Sequence, residues 1–209
     1  MIGIIDYGAG NLKSVQNALD RIGAKWLTLS APDELERADG LILPGVGSFG
    51  EAMVQLEKHR FCTALCDWAA ADRPLLGICL GQQLLFEYSE ESPQVSGLGI
   101  FAGGYKKIPS EAGIKVPHIG WNSLRIQKQD GILKGLHNGA FAYFVHSYYL
   151  DAADKSIVAA TTEHGVRIDA AVERGRVSAC QFHPEKSGRD GQKILENFAA
   201  ICAADQKGE

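Results

Sequence analysis

Residues 75–83 read Leu-Leu-Gly-Ile-Cys-Leu-Gly-Gln-Gln, and this stretch decides the fold of the chain. The apolar run Pro74–Cys79 predicts a buried strand, and Gly81–Tyr88 predicts a helix that starts directly after it. Cys79 therefore lies at a sharp turn from strand to helix. In sheets of parallel strands, functional side chains gather where the strands end. The residues around Cys79 therefore indicate both the fold and the position of a functional site.

The first half of the chain alternates strands with helices. The other predicted strands are Ile2–Asp6, Lys25–Leu29 and Gly40–Leu43, and the other predicted helices run from Asn11 as N-cap to Arg21, from Ser48 to Lys58 and over Phe61–Ala70. Ser48 and Glu51 have the spacing of a capping box at the second of these helices. Strands that are apolar throughout are buried on both faces, so their alternation with helices predicts a mostly parallel α/β sheet.

The second half consists of short strand-like runs separated by turns rich in Gly, Asp and Asn. These runs are Gly97–Ile108, Pro117–Ile126, Ala140–Leu150, Ser156–Thr162, Ile168–Arg174 and Arg176–Phe182. Their spacing predicts antiparallel hairpins, and an amphipathic helix over Asp190–Ala203 closes the chain. We therefore expect an α/β fold with a mostly parallel sheet flanked by helices and a β-rich antiparallel extension. A single domain over 1–203 and a tail over 204–209 are expected.

Composition and charge narrow the class of protein. The chain has 209 residues, a formal net charge of −4 and 45% hydrophobic residues, which is typical of a globular protein. It has no basic block that would bind nucleic acid or anionic lipid, no apolar run long enough to span a membrane and no signal-peptide pattern. Its five cysteines form no C-x-x-C pair. The sequence thus predicts a cytoplasmic protein that binds neither nucleic acid nor membrane.

Cys79 has the surroundings of a nucleophile. Gly77-Ile-Cys-Leu-Gly81 matches the pattern G-x-C-x-G, in which the glycines avoid collisions at a strained turn. The helix after the turn directs free amides and the positive end of its dipole at the sulfur, which favours the thiolate. The Leu80 amide is placed to point at a developing oxyanion. The alternative is a buried structural cysteine between two packing glycines.

A base and a carboxylate follow one another near the end of the chain. His183-Pro184-Glu185 ends a strand, and Pro184 favours extended backbone at His183. Because residues i and i+2 of an extended chain point to the same side, His183 and Glu185 are expected to be neighbours. With a distant cysteine, such a pair makes a triad for acyl transfer. The alternative is an ordinary buried histidine, and the other histidines lack the spacing of metal ligands, so no metal site is predicted.

Three separated segments resemble the class I (triad) glutamine amidotransferases. They are Leu43-Pro-Gly-Val-Gly47, Gly77-Ile-Cys-Leu-Gly-Gln-Gln83 and Gln181-Phe-His-Pro-Glu-Lys186. Further segments are similar to one family within that class, the glutaminase subunits of imidazole glycerol phosphate synthases. These are Asp6–Asn11, Leu84–Glu91, Pro117–Asn122, Tyr143–Tyr148 and Lys186–Gly188. The resemblance covers residues 1–202 and implies the fold of that class.

The resemblance also implies a role for each residue of the site. The implied catalytic residues are Cys79 as nucleophile, His183 as base and Glu185, which orients the base. The implied oxyanion donors are the amides of Leu80 and of Val46 or Gly47, the latter after a turn of the Val46–Gly47 peptide. The residues implied to hold glutamine are Gln83, Glu91, Ser147 and Tyr148, with Glu91 suited to the α-ammonium group of the substrate.

A partner subunit and no cofactor are implied as well. Glutamine would be hydrolysed through a γ-glutamyl thioester, and ammonia would pass within a heterodimer to a cyclase subunit, which makes imidazole glycerol phosphate and AICAR from the ribonucleotide PRFAR. The residues implied to face this subunit are Gly10, Asn11, Trp121, Tyr143 and Lys186. The alternatives are the glutaminase of a paralogous surface-sugar amidation system, a thiol hydrolase of the related superfamily, and a non-catalytic subunit, although the last would be expected to lose the triad.

Overall fold

The computed structural model describes residues 1–110 and 114–204, within which we number thirteen strands and five α-helices. The strands are β1 (Ile2–Ile5), β2 (Trp26–Leu29), β3 (Gly40–Leu43), β4 (Leu75–Ile78), β5 (Phe86–Ser89), β6 (Phe101–Lys107), β7 (His118–Ser123), β8 (Arg125–Ile126), β9 (Phe141–His146), β10 (Tyr148–Leu150), β11 (Val158–Glu163), β12 (Arg167–Arg174) and β13 (Val177–Cys180). The helices are α1 (Leu12–Arg21), α2 (Phe49–Lys58), α3 (Phe61–Ala70), α4 (Leu80–Leu84) and α5 (Gly188–Ala204).

Eight of these strands form one central sheet in the order β2-β1-β3-β4-β13-β12-β11-β8. The first five strands run parallel to one another, and the last three continue the sheet with antiparallel pairing. β4 and β13 are neighbours in the middle of the sheet, where Cys180 pairs with Ile78. Because both strands end at this level, the residues that follow them, Cys79 and Gln181, come to the same edge of the sheet.

Each central strand sends alternate side chains into two apolar layers. In β3, Leu41 and Leu43 pack into the layer of α2 and α3, whereas Ile42 packs into the layer of α1 and α5. The helices contribute Phe49, Leu56, Phe61 and Leu65 to the first layer and Val15, Leu19, Ile194, Leu195 and Phe198 to the second. Burial on both faces is the reason why the strand sequences are apolar without alternation.

Two smaller sheets lie outside the central one. One has the order β10-β6-β5, and the other is the antiparallel pair of β7 and β9, called the β7–β9 ribbon below. In this ribbon His118 pairs with His146 and Trp121 with Tyr143. Alternate residues point to opposite faces of a strand, and only one face of the ribbon is buried.

The predicted fold class is confirmed, but the helix predicted over Gly81–Tyr88 is confirmed only as far as Leu84. The helix α4 ends at Leu84, and the chain continues into β5, which pairs with β6. Phe86 is buried there, with its ring centroid 5.3 Å from that of Phe101 and 5.7 Å from that of Tyr105. Pairing with a strand and burial of an aromatic ring override the local helical pattern.

The N-termini of α1 and α2 are capped in different ways. Asn11 caps α1 as predicted, because its Oδ1 accepts from the amide of Ser14 at 3.3 Å. The capping box at α2 is wrong, since Ser48 Oγ donates to Glu51 Oε2 at 2.9 Å instead of bonding to the backbone. The first amide of α2 finds a different partner, the side chain of Glu91, at 2.6 Å.

The end of the chain differs slightly from expectation. α5 begins at Gly188 and includes Ala204, which was expected to be the first residue of the tail. Residues 205–209 lie outside the described residues. Within the part of the chain that the structure describes, none of the helices is both long and apolar enough to cross a membrane.

Candidate active site

Cys79 lies directly after β4 in a strained turn. Its backbone has φ +55° and ψ −110°, a region that residues with a side chain rarely adopt. A Cβ on Gly77 would lie 2.9 Å from the carbonyl oxygen of Gly81, and a Cβ on Gly81 would collide with the carbonyl oxygen of Leu43. The turn therefore requires glycine at both positions, and strain of this kind is held at functional sites by the surrounding structure.

The predicted proximity of His183 and Glu185 is confirmed. Nδ1 of His183 and Oε1 of Glu185 are 2.8 Å apart, and both side chains are buried. The backbone of His183 is extended, with φ −101° and ψ 95°, as expected before proline. Because a carboxylate only accepts hydrogen bonds, Nδ1 of His183 carries a hydrogen, and its Nε2 is left for Cys79.

His183 is protonated at neutral pH. Burial by itself disfavours the charged imidazole, but hydrogen bonds and charge interactions with Cys79 and Glu185 outweigh this and raise the pKa of His183 to about 10. A positive imidazolium beside a sulfur favours the thiolate. His183 therefore places a positive charge beside the sulfur of Cys79.

Gln181 has no predicted role, yet it contacts the sulfur. Its Nε2 lies 3.8 Å from Cys79 Sγ, and its Oε1 accepts from Nε2 of Gln83 at 3.2 Å. Two buried amides thus connect Gln83 with the nucleophile. The rule that predicts the contact of His183 with Glu185 also places Gln181 on the same side of the extended chain, with Phe182 buried on the other side.

Cys79 and His183 line a cavity of about 340 Å³, a size that suits a small molecule. All the residues predicted as oxyanion donors or glutamine contacts line the same cavity, namely Val46, Gly47, Leu80, Gln83, Glu91, Ser147 and Tyr148. Pro117, Val145 and His146, which have no predicted role, line it as well. The structure therefore brings together side chains and backbone from six separate stretches of the chain.

The segment Pro44–Gly47 is held at its start and free at its end. The hydroxyl of Tyr7 donates to the carbonyl oxygen of Pro44 at 2.9 Å, and a Cβ on Gly45 would lie 2.8 Å from the Cβ of Leu80. Gly47 has φ +96°, a conformation that favours glycine, and nothing lies within 4 Å of the place where its Cβ would be. There is thus space for the peptide before Gly47 to turn.

The opposite wall of the cavity is formed by Glu91 and by the segment that joins β9 to β10. Glu91 is half-buried, and its carboxylate accepts the first amide of α2. Val145 O lies 3.9 Å from Cys79 Sγ, and Ser147 O accepts from the amide of Ile108 at 2.9 Å. This wall presents the carboxylate of Glu91, which is complementary to a positively charged group of a ligand.

The residues predicted to face a partner lie in the cavity wall or beside segments that adjoin it. Lys186 lines the cavity itself. Trp121 and Tyr143 have ring centroids 6.0 Å apart, and Trp121 lies beside Gly188. Gly10 and Asn11 lie beside Pro44, at the start of the segment Pro44–Gly47.

The outer face of the β7–β9 ribbon is apolar and exposed. Its residues Ile119, Trp121, Phe141 and Val145 have 60%, 55%, 53% and 38% of their surface exposed, and Tyr143 lies between them. Contiguous apolar side chains on a surface are typical of a site that contacts another molecule. Among residues 1–110 and 114–204, no group of three His, Cys, Asp or Glu side chains is placed to hold a metal ion.

Comparison with known proteins gives consistent results. The family described as glutamine amidotransferase class-I matches residues 3–202. Imidazole glycerol phosphate synthase subunit HisH of Moorella thermoacetica is 47% identical over 200 residues, which cover 96% of this chain and 94% of that protein. The subunit of the same name from Caldanaerobacter subterraneus is 48% identical over 201 residues, with 96% and 98% covered. PurLQS from Thermotoga maritima has a similar fold, with a TM-score of 0.75 at 20% identity over 95% of this chain and 97% of that one.

Proposed function

Because this chain belongs to the class-I glutamine amidotransferase family, and within it to the family of imidazole glycerol phosphate synthase subunit HisH, we propose that Cys79, His183 and Glu185 hydrolyse L-glutamine in the cavity described above. The chain is a glutaminase, the subunit of this synthase that releases ammonia from glutamine. The observation that carries the proposal is the opening of Cys79 and His183 onto one cavity with Glu91 and the Ser147 backbone.

The reaction starts from the thiolate and the imidazolium. The sulfur of Cys79 attacks the side-chain carbonyl carbon of glutamine, and His183 gives its proton to the nitrogen as the carbon–nitrogen bond breaks. Ammonia leaves, and a γ-glutamyl thioester remains on Cys79. Neutral His183 then accepts a proton from a water molecule, whose oxygen attacks the thioester. Glutamate departs, and the thiolate and the imidazolium are restored.

The negative oxygen of each tetrahedral intermediate is stabilised by backbone amides. Leu80 is the first residue of α4, and the first amides of a helix have no partner within the helix. A second donor comes from the amide of Val46 or Gly47, which the space around Gly47 allows to turn toward the cavity. One such donor is worth about 10²–10³-fold in rate.

The substrate is oriented by its two ends. The carboxylate of Glu91 is suited to the α-ammonium group of glutamine, and the backbone of Ser147 and Tyr148 binds the same end of the molecule. Gln83 and Gln181, which are linked at 3.2 Å, lie near the reacting end. This orientation sets the distance between the α-carbon and the sulfur, and it therefore selects glutamine over shorter amides.

The partner is the cyclase subunit of the synthase, with which the chain forms a heterodimer. The exposed outer face of the β7–β9 ribbon, together with Lys186, Gly10 and Asn11, supplies the docking surface, and Val145 and Lys186 of this surface also line the cavity from which ammonia leaves. PRFAR binds on the cyclase, because the chain has no phosphate-binding loop of the type G-x-x-x-x-G-K-[ST]. All five cysteines are free, which fits a location in the reducing cytoplasm.

The test separates the two half-reactions. In the complex with the cyclase subunit, Cys79→Ala is expected to abolish glutamine-dependent formation of imidazole glycerol phosphate and to leave ammonia-dependent formation unchanged, because the nucleophile and the cyclase chemistry are on different chains. Cys62→Ala, which changes a half-buried cysteine of α3, serves as the matched control. Glutamine-dependent turnover by Cys79→Ala would overturn the proposal.

A further inference from the structure

A second histidine lines the cavity, and its partners differ from those of His183. His146 Nδ1 lies 2.8 Å from the carbonyl oxygen of Tyr148, and its Nε2 lies 2.9 Å from Nδ1 of His118. Nε2 of His118 in turn lies 3.3 Å from Nδ2 of Asn122. These three side chains come from the inner face of the β7–β9 ribbon and are linked in one row.

The groups at the two ends of this row, the amide of Asn122 and the carbonyl oxygen of Tyr148, determine which atom donates in each hydrogen bond. Asn122 Oδ1 accepts from the amide of Ser123 at 2.8 Å, and Asn122 Nδ2 donates to the carbonyl oxygen of Glu163 at 2.9 Å, so the orientation of the amide is fixed. His118 therefore accepts at Nε2 and donates from Nδ1. His146 accepts that hydrogen at Nε2 and donates from its own Nδ1 to the carbonyl oxygen of Tyr148.

Both imidazoles are neutral in this arrangement. Burial and the proximity of other histidines lower the pKa of His118 to about 3, and burial lowers the pKa of His146 to about 4. Both ring nitrogens of His146 are already hydrogen-bonded, Nε2 to His118 and Nδ1 to the carbonyl oxygen of Tyr148. His146 is thus not available as a base, although it lines the cavity beside Cys79.

The row acts on the backbone that forms one wall of the cavity. His146 is the last residue of β9, and Tyr148 is the first residue of β10, so the hydrogen bond between them closes a loop around Ser147. Val145, on the other side of His146, has its carbonyl oxygen 3.9 Å from Cys79 Sγ. A substitution at His146 therefore affects the backbone of residues 145–148. This backbone lies between the nucleophile and the amino-acid end of the substrate.

We propose that His146 is a positioning residue whose hydrogen bond to the carbonyl oxygen of Tyr148 holds the backbone of residues 145–148 in the conformation that receives the amino-acid end of glutamine, and that His118 selects the tautomer of His146 that donates this bond. The inference rests on the proposed function, since it assigns that end of the substrate to this backbone. It requires the hydrogen bond from His146 to Tyr148 for substrate binding, whereas the reactivity of the sulfur depends on His183 and Glu185.

Two substitutions at one position separate the two hydrogen bonds of His146. His146→Asn places an amide nitrogen near the position of Nδ1, so it retains a donor to Tyr148 O and loses the link to His118. His146→Gln places its amide near the position of Nε2, so it retains the link to His118 and loses the donor. In the complex with the cyclase subunit, we expect His146→Gln to raise the KM for glutamine about 2- to 10-fold, the value of one net hydrogen bond, and to change kcat less.

His146→Asn is expected to have a KM closer to that of the wild-type complex, as a conservative replacement that rescues the required bond. His137→Gln, the same substitution at an exposed histidine, is the control for the effect of the new side chain. Equal KM values for His146→Gln and the wild-type complex would overturn the inference, and so would a larger increase for His146→Asn than for His146→Gln.

Alkylation of Cys79 distinguishes failure of the inference from failure of the proposed function. A diazoketone analogue of L-glutamine carries the amino-acid end, whereas iodoacetamide does not. We expect His146→Gln to slow labelling by the analogue and to leave labelling by iodoacetamide unchanged. Equal slowing of both reagents would show that His146 acts on the sulfur and would overturn the inference. Failure of the wild-type chain to react with the analogue at Cys79 would overturn the proposed function itself.

Discussion

His183 and His146 line the same cavity, but their neighbours give them opposite charge states. His183 interacts with Cys79 and with the carboxylate of Glu185, and these contacts raise its pKa to about 10 despite burial. His146 is paired with a carbonyl oxygen and a second imidazole, and its pKa is lowered to about 4. Both rings are buried, so burial alone does not decide the charge.

The difference teaches that the identity of a histidine says little about its chemistry. Hydrogen bonds and charge interactions with Cys79 and Glu185 stabilise the imidazolium of His183 by more than its loss of hydration costs, whereas the partners of His146 do not. Of the two histidines, only His183 therefore carries a positive charge next to the sulfur. A second imidazolium at His146 would compete with His183 for the thiolate and would repel the α-ammonium group of the substrate.

The largest difference is expected between His183→Asn and His146→Asn, two variants that carry the same substitution at the two histidines. His183→Asn removes the group that moves protons in both half-reactions, so glutamine hydrolysis by the complex is expected to fall about 10²–10⁴-fold. His146→Asn retains the donor to Tyr148 and is expected to lower kcat less than about tenfold. Steady-state assays of ammonia release by the two complexes test this order, with unchanged ammonia-dependent synthesis as evidence of folding. A reversal would break the contrast between the two sites.

An intermediate effect is expected from Glu185→Gln, which gives His183 a neutral partner like that of His146. Loss of an opposite charge within hydrogen-bond distance lowers the pKa of a histidine by about 1–3 units. The pKa of His183 is therefore expected to fall in this variant, and the pH titration of its imidazole by NMR measures the change. The loss of glutaminase rate is expected to be smaller than for His183→Asn, because the proton carrier remains. An unchanged titration of His183 would show that Glu185 does not set its charge.

A third effect is expected in the pH dependence of stability. Because the pKa values of His118 and His146 lie near 3 and 4 in the folded protein and near 6.5 in an unfolded chain, the unfolded state takes up more protons as the pH falls from about 6.5 to about 4. The free energy of unfolding is therefore expected to decrease on acidification over that range. His183, with its raised pKa, contributes in the opposite sense, and its contribution is lost as the pH rises from about 6.5 to about 10.

His118→Gln removes one of the groups that resist protonation. Urea unfolding of this variant at several pH values between about 4 and 7 is expected to show a shallower decrease than the wild-type chain. His137→Gln, at an exposed histidine, is expected to retain the wild-type slope. Parallel slopes for His118→Gln and the wild-type chain would mean that His118 is protonated as easily in the folded state as in the unfolded one.

Much of the fold followed from patterns that are local in the sequence. Apolar runs such as Gly40–Leu43 form strands of the central sheet. Because both faces of this sheet are buried, its strands show no alternation of polar and apolar residues. The stretch after Cys79 shows the limit of such patterns. Leu84 ends a helix and Phe86 begins a strand, since the ring of Phe86 packs on Phe101 from β6. A contact of this kind depends on a strand that is distant in sequence.

The candidate site shows the same division. Proximity of His183 and Glu185 was predictable, because two residues of one extended segment share a side. Gln181 obeys the same rule, but its partners Gln83 and Cys79 are 98 and 102 residues away, and only the pairing of β4 with β13 brings them together. The row formed by His118 and His146 likewise requires the register of the β7–β9 ribbon, which places the two histidines opposite each other.

By itself, the sequence determined the α/β class, the strained turn at Cys79 and the pair of His183 and Glu185, because steric limits of the backbone and the periods of strands and helices act over a few residues. Only the tertiary structure decided which histidine is charged, which amides reach the sulfur and where the exposed apolar face lies. These properties depend on burial and on partners from other strands. Hydration, charge and hydrogen bonding respond to neighbours in space, and the order of residues along the chain does not contain those neighbours explicitly.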